Sequence, residues 1–173
     1  AVEAVQLDAK NPYAHYALAI VSNYADDFAL ALRCADKAVE LVRDRASLPT
    51  VFLNTHPIEL ERPGLIESLE ELRRAAPQLP LVLEIHESVL TRPAVISELR
   101  AMLLEREIAL AYDDFGAGQA RLLELAEAPP HYLKFDRRFV SGLDQAPAAK
   151  RRLLHSLLGL ARELLVKTVA EGI

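Results

Sequence analysis

The sequence lacks the features that mark secreted, membrane-spanning or nucleic-acid-binding proteins. Among its 173 residues there is one cysteine, Cys34, so no disulfide can form within the chain and a reducing, cytoplasmic setting is expected. A formal net charge of −5 gives no electrostatic basis for binding a nucleic-acid polymer. No apolar run approaches the roughly 18 residues of a membrane-spanning helix. The N-terminus also lacks the basic-then-apolar pattern of a signal peptide.

Apolar residues are plentiful and follow two different periodicities. They make up 51% of the chain, which is enough for a substantial core. From residue 50 onward, short apolar runs alternate with segments whose apolar residues recur at helical spacing. Strands separated by helices indicate a parallel sheet in an α/β fold. The pattern predicts strands at 51–54, 80–85, 107–113, 131–136 and 166–171. It predicts helices at 64–76, from Pro93, at 121–126 and at 148–164.

The N-terminal residues 1–44 are rich in alanine and differ from the remainder of the chain. We therefore divide the sequence into a helical segment, 1–44, and a barrel portion, 45–173. Residues 1–7 and 35–41 are similar at an offset of 34 residues, which resembles the period of the tetratricopeptide repeat. The alternative is that two alanine-rich amphipathic helices are alike by coincidence. Neither interpretation provides a strand in residues 1–49.

Each of the five predicted strands ends in a residue that can bind a metal ion or polarise water. In a parallel barrel the C-terminal ends of the strands converge on the face where active sites lie. Carboxylate and amide oxygens suit Mg²⁺ or Mn²⁺. Two such cations can activate water and stabilise the charge that develops on a phosphodiester. The residues at the strand ends are Asn54, Glu84, Asp113 with Asp114, Lys134 and Glu171.

Short motifs surround these strand ends. The five are Asn54-Thr55-His56-Pro57, Glu84-Ile85-His86-Glu87, Asp113-Asp114-Phe115-Gly116, Leu133-Lys134-Phe135-Asp136 and Val169-Ala170-Glu171-Gly172. In their order and spacing over residues 50–173 they resemble the EAL domain, a family of bacterial (β/α)8-barrel phosphodiesterases that hydrolyse cyclic di-GMP. The first two approximate the N-x-S-P and E-x-T-E elements of that family, and the other three match its later elements.

The resemblance implies an α/β fold of the TIM-barrel type and a two-metal hydrolysis of cyclic di-GMP to the linear dinucleotide. We expect the (β/α)8 barrel to be incomplete in this chain, because strands 1, 2 and 8 are not evident in the sequence. Mg²⁺ or Mn²⁺ would be the cofactor. As partners we expect cyclic di-GMP and either a second copy of the chain or another signalling protein.

The resemblance also implies a role for individual residues. Asn54, Glu84 and Asp113 would bind one metal ion. Asp113, Asp114 and Glu171 would bind the other, which makes Asp113 the bridging ligand. Lys134 would orient or polarise the attacking water. Glu87 would anchor the loop after Asp114-Phe115-Gly116 and so control metal binding without contacting the substrate.

One departure from the family leaves the catalytic activity open. The Glu-Ala-Leu tripeptide that names the family is absent from the sequence, and its glutamate is a metal ligand in the family. We favour an enzyme, since the five motifs keep residues of the right chemistry. The alternative is a catalytically inactive receptor for cyclic di-GMP, or a protein-interaction module.

Overall fold

A computed structural model of the chain describes residues 20–21, 50–55, 57, 60, 64–87, 93–116 and 122–170, with residues 20, 21 and 93 described by their backbone only. Over these residues strands alternate with helices. The strands are β1 (Ile20–Val21), β2 (Val51–Thr55), β3 (Leu81–His86), β4 (Ile108–Phe115), β5 (Tyr132–Phe135) and β6 (Lys167–Ala170). The helices are α1 (Leu65–Ala75), α2 (Pro93–Glu105), α3 (Leu122–Glu127), α4 (Arg137–Val140) and α5 (Ala148–Glu163).

The strands follow one another across the sheet in the order of the chain, from β1 to β6. The pairs β1–β2, β4–β5 and β5–β6 are parallel. Parallel neighbours of this kind require a crossover connection, which a helix usually provides. The prediction of an α/β fold with a parallel sheet is therefore confirmed, and the five strands predicted after residue 50 are all present within two residues of their expected bounds.

The expectation that residues 1–49 contain no strand is wrong at Ile20–Val21. These two residues pair in parallel with Leu53 and Asn54 of β2. Both are β-branched, which favours an extended backbone, but a strand of two residues has too little periodicity to be recognised in the sequence. The similar stretches 1–7 and 35–41, and Cys34, lie outside the described residues.

The chain forms two compact units, and an arginine organises the helix ends of the first. This unit comprises Ala1–Glu84 and Ala101–Ala109. The Arg73 guanidinium donates to backbone carbonyls that follow α1 and α2, including those of Leu79 at 2.8 Å and Glu107 at 2.8 Å. Carbonyls at a helix C-terminus have no partner within the helix, so one planar side chain satisfies several of them. Arg106 of the same unit binds Glu70 Oε1 through Nε at 2.9 Å.

The second unit comprises Ile85–Arg100 and Leu110–Ile173 and is organised around aromatic side chains. Phe115 and Phe135 are almost fully buried and meet edge to face, with ring centroids 6.2 Å apart. The buried Tyr112 hydroxyl donates to the carbonyl of Ala128. Helix α5 buries Leu154, Leu157 and Ala161, a spacing that places one apolar stripe against the core. Among the helices described, none is both long enough and apolar enough to cross a membrane.

Candidate functional site

The Asp113–Asp114 pair lies in an irregular stretch of β4. The register between β4 and β5 shifts between Tyr112 and Phe115, so the two aspartates interrupt the regular ladder. Asp114 has a φ of 56°, in the left-handed region that non-glycine residues adopt at an energetic cost. Bulges of this kind re-aim side chains and occur often beside active sites. The sequence predicted an ordinary strand end, because nothing in the residue types announces the shift.

Lys134 on β5 forms a buried ion pair with Asp113. The distance from Lys134 Nζ to Asp113 Oδ1 is 2.9 Å, and the lysine as a whole is 7% exposed. An ammonium group in such surroundings would be unfavourable without an anionic partner close by. The parallel register of β4 and β5 brings the two residues together although 20 residues separate them in the sequence.

Burial and the neighbouring carboxylates both act on the Asp114 carboxyl. Burial raises the pKa of its carboxyl, and Asp113 and Asp136 raise it further, whereas His86 and Lys134 act in the opposite direction. His86 Nε2 is 3.5 Å from Asp114 Oδ2. The net rise in pKa means that the protein without a bound cation disfavours the charged form of Asp114.

Glu87 holds the backbone just after the aspartate pair. It is 4% exposed, and its Oε2 accepts a hydrogen bond from the Gly116 amide at 3.1 Å. Within the part of the chain that the structure describes, its buried Oε1 has no hydrogen-bond partner. This is the contact expected of a residue that anchors the loop after Asp114-Phe115-Gly116, while control of metal binding stays a prediction.

Asn54 and Glu84 belong to the first unit, at the ends of β2 and β3. Glu84 is fully buried, and its backbone carbonyl accepts a hydrogen bond from Thr55 Oγ1 at 2.7 Å. Burying a glutamate in a strand whose other buried residues are apolar is costly and points to a role beyond packing. Asn54 is half-buried. Glu171, the fifth predicted metal residue, lies outside the described residues.

Asp136, two residues after Lys134, caps the short helix α4. Its Oδ1 accepts from the Arg138 backbone amide at 2.7 Å and from Arg138 Nε at 2.9 Å, which caps α4. These hydrogen bonds hold the pKa of the Asp136 carboxyl below its usual range. Helix α4 was not predicted from the sequence, although aspartate is a preferred residue at the start of a helix.

The donors in the second unit suit a divalent cation that prefers oxygen. Asp113 and Asp114 supply adjacent carboxylates. Burial and the neighbouring Asp113 raise the pKa of Asp114, and a bound cation would favour its charged form instead. Over the described residues alone, no three histidine, cysteine or acidic side chains form a complete metal-binding group. The donor chemistry thus fits Mg²⁺ or Mn²⁺. The ligand set predicted from the sequence also includes Glu171, which lies outside the described residues.

A parallel α/β sheet whose strand ends carry paired aspartates and a buried lysine defines a protein of the TIM-barrel class with an acidic candidate site. The sequence profile of the EAL domain matches residues 18–173. The chain therefore belongs to the EAL domain family. The match begins well before residue 50, where the motifs started, and it includes β1.

Relatives of known description agree with this assignment. Over 132 residues the chain is 32% identical to the bifunctional diguanylate cyclase/cyclic di-GMP phosphodiesterase MucR of Pseudomonas aeruginosa, covering 71% of this chain and 18% of MucR. Over 123 residues it is 32% identical to the cyclic di-GMP phosphodiesterase RocR of the same organism, covering 69% of this chain and 31% of RocR. The chain thus spans less than a third of the length of either relative.

Solved structures of the family have the same fold. The EAL domain of Mycobacterium smegmatis DcpA superposes with a TM-score of 0.75 at 26% identity, covering 89% of this chain and 70% of that domain. The MucR phosphodiesterase in complex with cyclic di-GMP superposes with a TM-score of 0.69 at 26% identity, covering 85% of this chain and 66% of that one. The fold class predicted from the sequence is confirmed.

Proposed function

We propose that this chain binds cyclic di-GMP and hydrolyses it to the linear dinucleotide, as a metal-dependent EAL domain. The observation that carries the proposal is the buried ion pair between Lys134 and Asp113, at 2.9 Å, directly beside Asp114. A buried ion pair is often less favourable for stability than apolar side chains of similar volume, so a pair of this kind at a strand end supports a role in a site. The phosphodiesterase names of MucR and RocR support the same substrate.

The metal ligands in this proposal are Asn54, Glu84, Asp113, Asp114 and Glu171, with Mg²⁺ or Mn²⁺ as the cation. Their assignment to one site rests on the order of the family motifs and on the oxygen donors that they share. When bound, two divalent cations would lower the pKa of a water molecule and stabilise negative charge on the phosphoryl oxygens.

The protein's own groups position the reactants. Asp113 holds the Lys134 ammonium at the end of β5, where it can orient the attacking water and stabilise developing negative charge. Burial strengthens this electrostatic effect, because little water is present to screen it. Glu87 fixes the amide of Gly116 and therefore the backbone that follows Asp114.

The test is incubation with cyclic di-GMP and either Mg²⁺ or Mn²⁺, followed by chromatography of the nucleotides. We expect linear dinucleotide from the native chain and none after chelation of the metal. The Asp113→Asn variant should retain its fold and lose at least about 100-fold in turnover, because a neutral amide replaces the carboxylate. Unchanged turnover in this variant would exclude Asp113 as the bridging ligand.

The second candidate function is a receptor that binds cyclic di-GMP without cleaving it. The observation in its favour is the absence of the Glu-Ala-Leu tripeptide from the sequence. Calorimetric titration with cyclic di-GMP separates the two functions: binding without linear product supports the receptor and excludes the enzyme for this chain.

A further inference from the structure

Gly116 is held on two sides. Its backbone has a φ of +91°, a conformation that glycine adopts without the steric cost that other residues incur. On one side its amide donates to Glu87 Oε2 at 3.1 Å. On the other side lies the ring of Phe139, so close that a Cβ atom added to Gly116 would overlap the ring. The ring of Phe139 therefore packs directly on the Gly116 backbone.

Phe139 is the outer member of a row of three aromatic rings. It stacks on Phe135, with centroids 6.2 Å apart and an angle of 24° between the ring planes. Phe135 in turn meets Phe115 edge to face at 6.2 Å. Phe115 is fully buried and lies in the chain between Asp114 and Gly116. The row thus contacts the same stretch of backbone at two points: Phe135 packs against the Phe115 side chain, and Phe139 packs on the main chain of Gly116.

This stretch of backbone requires support. Asp114 is in the left-handed region, and the β4 register shifts between Tyr112 and Phe115. An unfavourable backbone conformation persists only where its surroundings hold it in place. Here a buried ring and a clamped glycine directly follow the strained residue.

We propose that Phe139 is a positioning residue: it presses on Gly116, and with Glu87 it keeps Asp113 and Asp114 in the irregular conformation that a cation requires. The inference rests on the proposed function for its consequence in metal binding and turnover. Phe139 acts through Gly116 and is assigned no contact with cyclic di-GMP. Its effect is therefore a matter of geometry and is measurable without substrate.

The first test uses NMR to measure the hydrogen exchange rate of the Gly116 amide in metal-free protein. The Phe139→Ala variant should exchange this amide about tenfold faster or more, because the backbone is released from the ring and the hydrogen bond to Glu87 opens more often. Phe139→Leu, which keeps part of the apolar surface and is more certain to fold, should show a smaller increase. The matched control is Leu153→Ala: Leu153 lines a pocket of about 410 Å³ together with Gly116 and Phe139, and it is 50% exposed. Exchange that is unchanged in both Phe139 variants, or equally fast in the control, would overturn the proposal.

The second test is a double-mutant cycle between Gly116→Ala and Phe139→Ala, with the dissociation constant of Mn²⁺ as the readout. In the native background, Gly116→Ala should weaken Mn²⁺ binding about tenfold or more, since the new methyl group meets the ring. In the Phe139→Ala background, Gly116→Ala should weaken Mn²⁺ binding by a factor several times smaller. The overlap with the ring is then gone, and only the backbone strain of a non-glycine residue at this φ is left. Equal factors in the two backgrounds would show that the ring and Gly116 do not act together, and the proposal would fail.

Turnover provides the final readout and separates this inference from the proposed function. If the native chain hydrolyses cyclic di-GMP, Phe139→Ala should lower kcat about tenfold with little change in KM. A rise in KM at constant kcat would instead indicate a contact with the substrate and contradict a positioning role. If the native chain gives no product, the proposed function fails, and the hydrogen exchange of Gly116 still decides whether Phe139 holds this backbone.

Discussion

Replacing Lys134 by methionine tests whether the buried ion pair contributes to the stability of the fold or only to turnover. Methionine has nearly the same length and keeps the apolar contacts of the lysine stem, so the change removes mainly the charge. Asp113 then loses the ammonium group 2.9 Å away, and Asp114 loses one of the two groups that lower its pKa. Two adjacent carboxylates are left with less compensation.

The expected loss follows from how deeply the pair is buried. Removing one partner of a fully buried ion pair costs about 3–5 kcal/mol. The Asp113 side chain is 16% exposed and that of Lys134 is 9% exposed, so solvent screens part of this cost. We expect the unfolding free energy at pH 7 to fall by about 2–3 kcal/mol in the absence of metal. For a chain of this size that lowers Tm by about 4–12 °C.

A second substitution separates stability from activity. In the double variant Lys134→Met with Asp113→Asn both members of the 2.9 Å pair are neutral, so the unfolding free energy should be higher than in Lys134→Met alone. Turnover of cyclic di-GMP should fall by at least about 100-fold in both variants. The control is Lys167→Met, which removes an exposed lysine that lies over the Tyr132 ring and should cost less than about 1 kcal/mol.

The measurements are urea unfolding followed by far-UV circular dichroism in the presence of a chelator, and chromatography of the nucleotide product. A Lys134→Met variant as stable as the native chain would show that the buried ion pair does not stabilise the protein. A double variant no more stable than Lys134→Met would show that the loss arises from packing and not from the charge of Asp113.

Three further predictions concern other parts of the chain. Arg73→Ala should lower the unfolding free energy by about 2 kcal/mol in urea unfolding, because several helix-end carbonyls lose their donor. In the same assay, Arg74→Ala at the adjacent exposed position should change it by less than about 0.5 kcal/mol. Asp114→Asn should stabilise the metal-free protein at pH 7 by no more than about 0.5 kcal/mol. It removes a carboxyl with a raised pKa, and asparagine tolerates a positive φ, but the side chain is 40% exposed and solvent screens most of the penalty on the charged form. The same variant should bind Mn²⁺ about tenfold more weakly or worse in calorimetry. Burial, with Arg100 and Lys167 contributing, holds the pKa of His131 below its ordinary value of 6.5, so the stabilisation by this residue is complete above that value and is lost as the pH falls through the lowered pKa. Between pH 8 and pH 5 the unfolding free energy, measured by urea unfolding, should therefore decrease more for the native chain than for His131→Asn.

Each of these has an outcome that contradicts it. Equal losses for Arg73→Ala and Arg74→Ala would show that the carbonyl contacts contribute nothing. A less stable Asp114→Asn variant would mean that the aspartate is favourably paired in the metal-free state. A pH dependence that survives in His131→Asn would assign the acid destabilisation to other groups.

The sequence was sufficient for the fold class because periodicity and family motifs agree. Strands that begin with a buried apolar run, such as Leu81–Leu83 of β3, can be recognised from residue type alone, and the order of the motifs gave the EAL resemblance. The strand at Ile20–Val21 could not be found in this way, since its pairing with β2 and not its own pattern makes it a strand. The expected second copy or signalling partner stays a prediction.

The candidate site divides along the same line. Residue chemistry predicted Asp113, Asp114 and Lys134 as site residues, because paired carboxylates and a charged residue at the end of an apolar strand are hard to explain by packing. The family resemblance added Glu87, and the roles of all four stay predictions. Arg73 and Phe139 were overlooked, since an arginine in the last turn of a helix and an apolar residue after a strand are both ordinary in a sequence. Their importance lies in what they contact, and those contacts join residues far apart in the chain.

The sequence by itself determined the α/β class, the positions of the strands after residue 50 and the kinds of donor that end them, because these depend on local periodicity and residue chemistry. Only the tertiary structure decided the irregular backbone at Asp113–Asp114, the pairing of Lys134 with Asp113, and the holding of Gly116 between Glu87 and Phe139. The reason is physical: the register between strands and the approach of a ring to a backbone depend on how distant segments pack, and no single segment of the sequence specifies either.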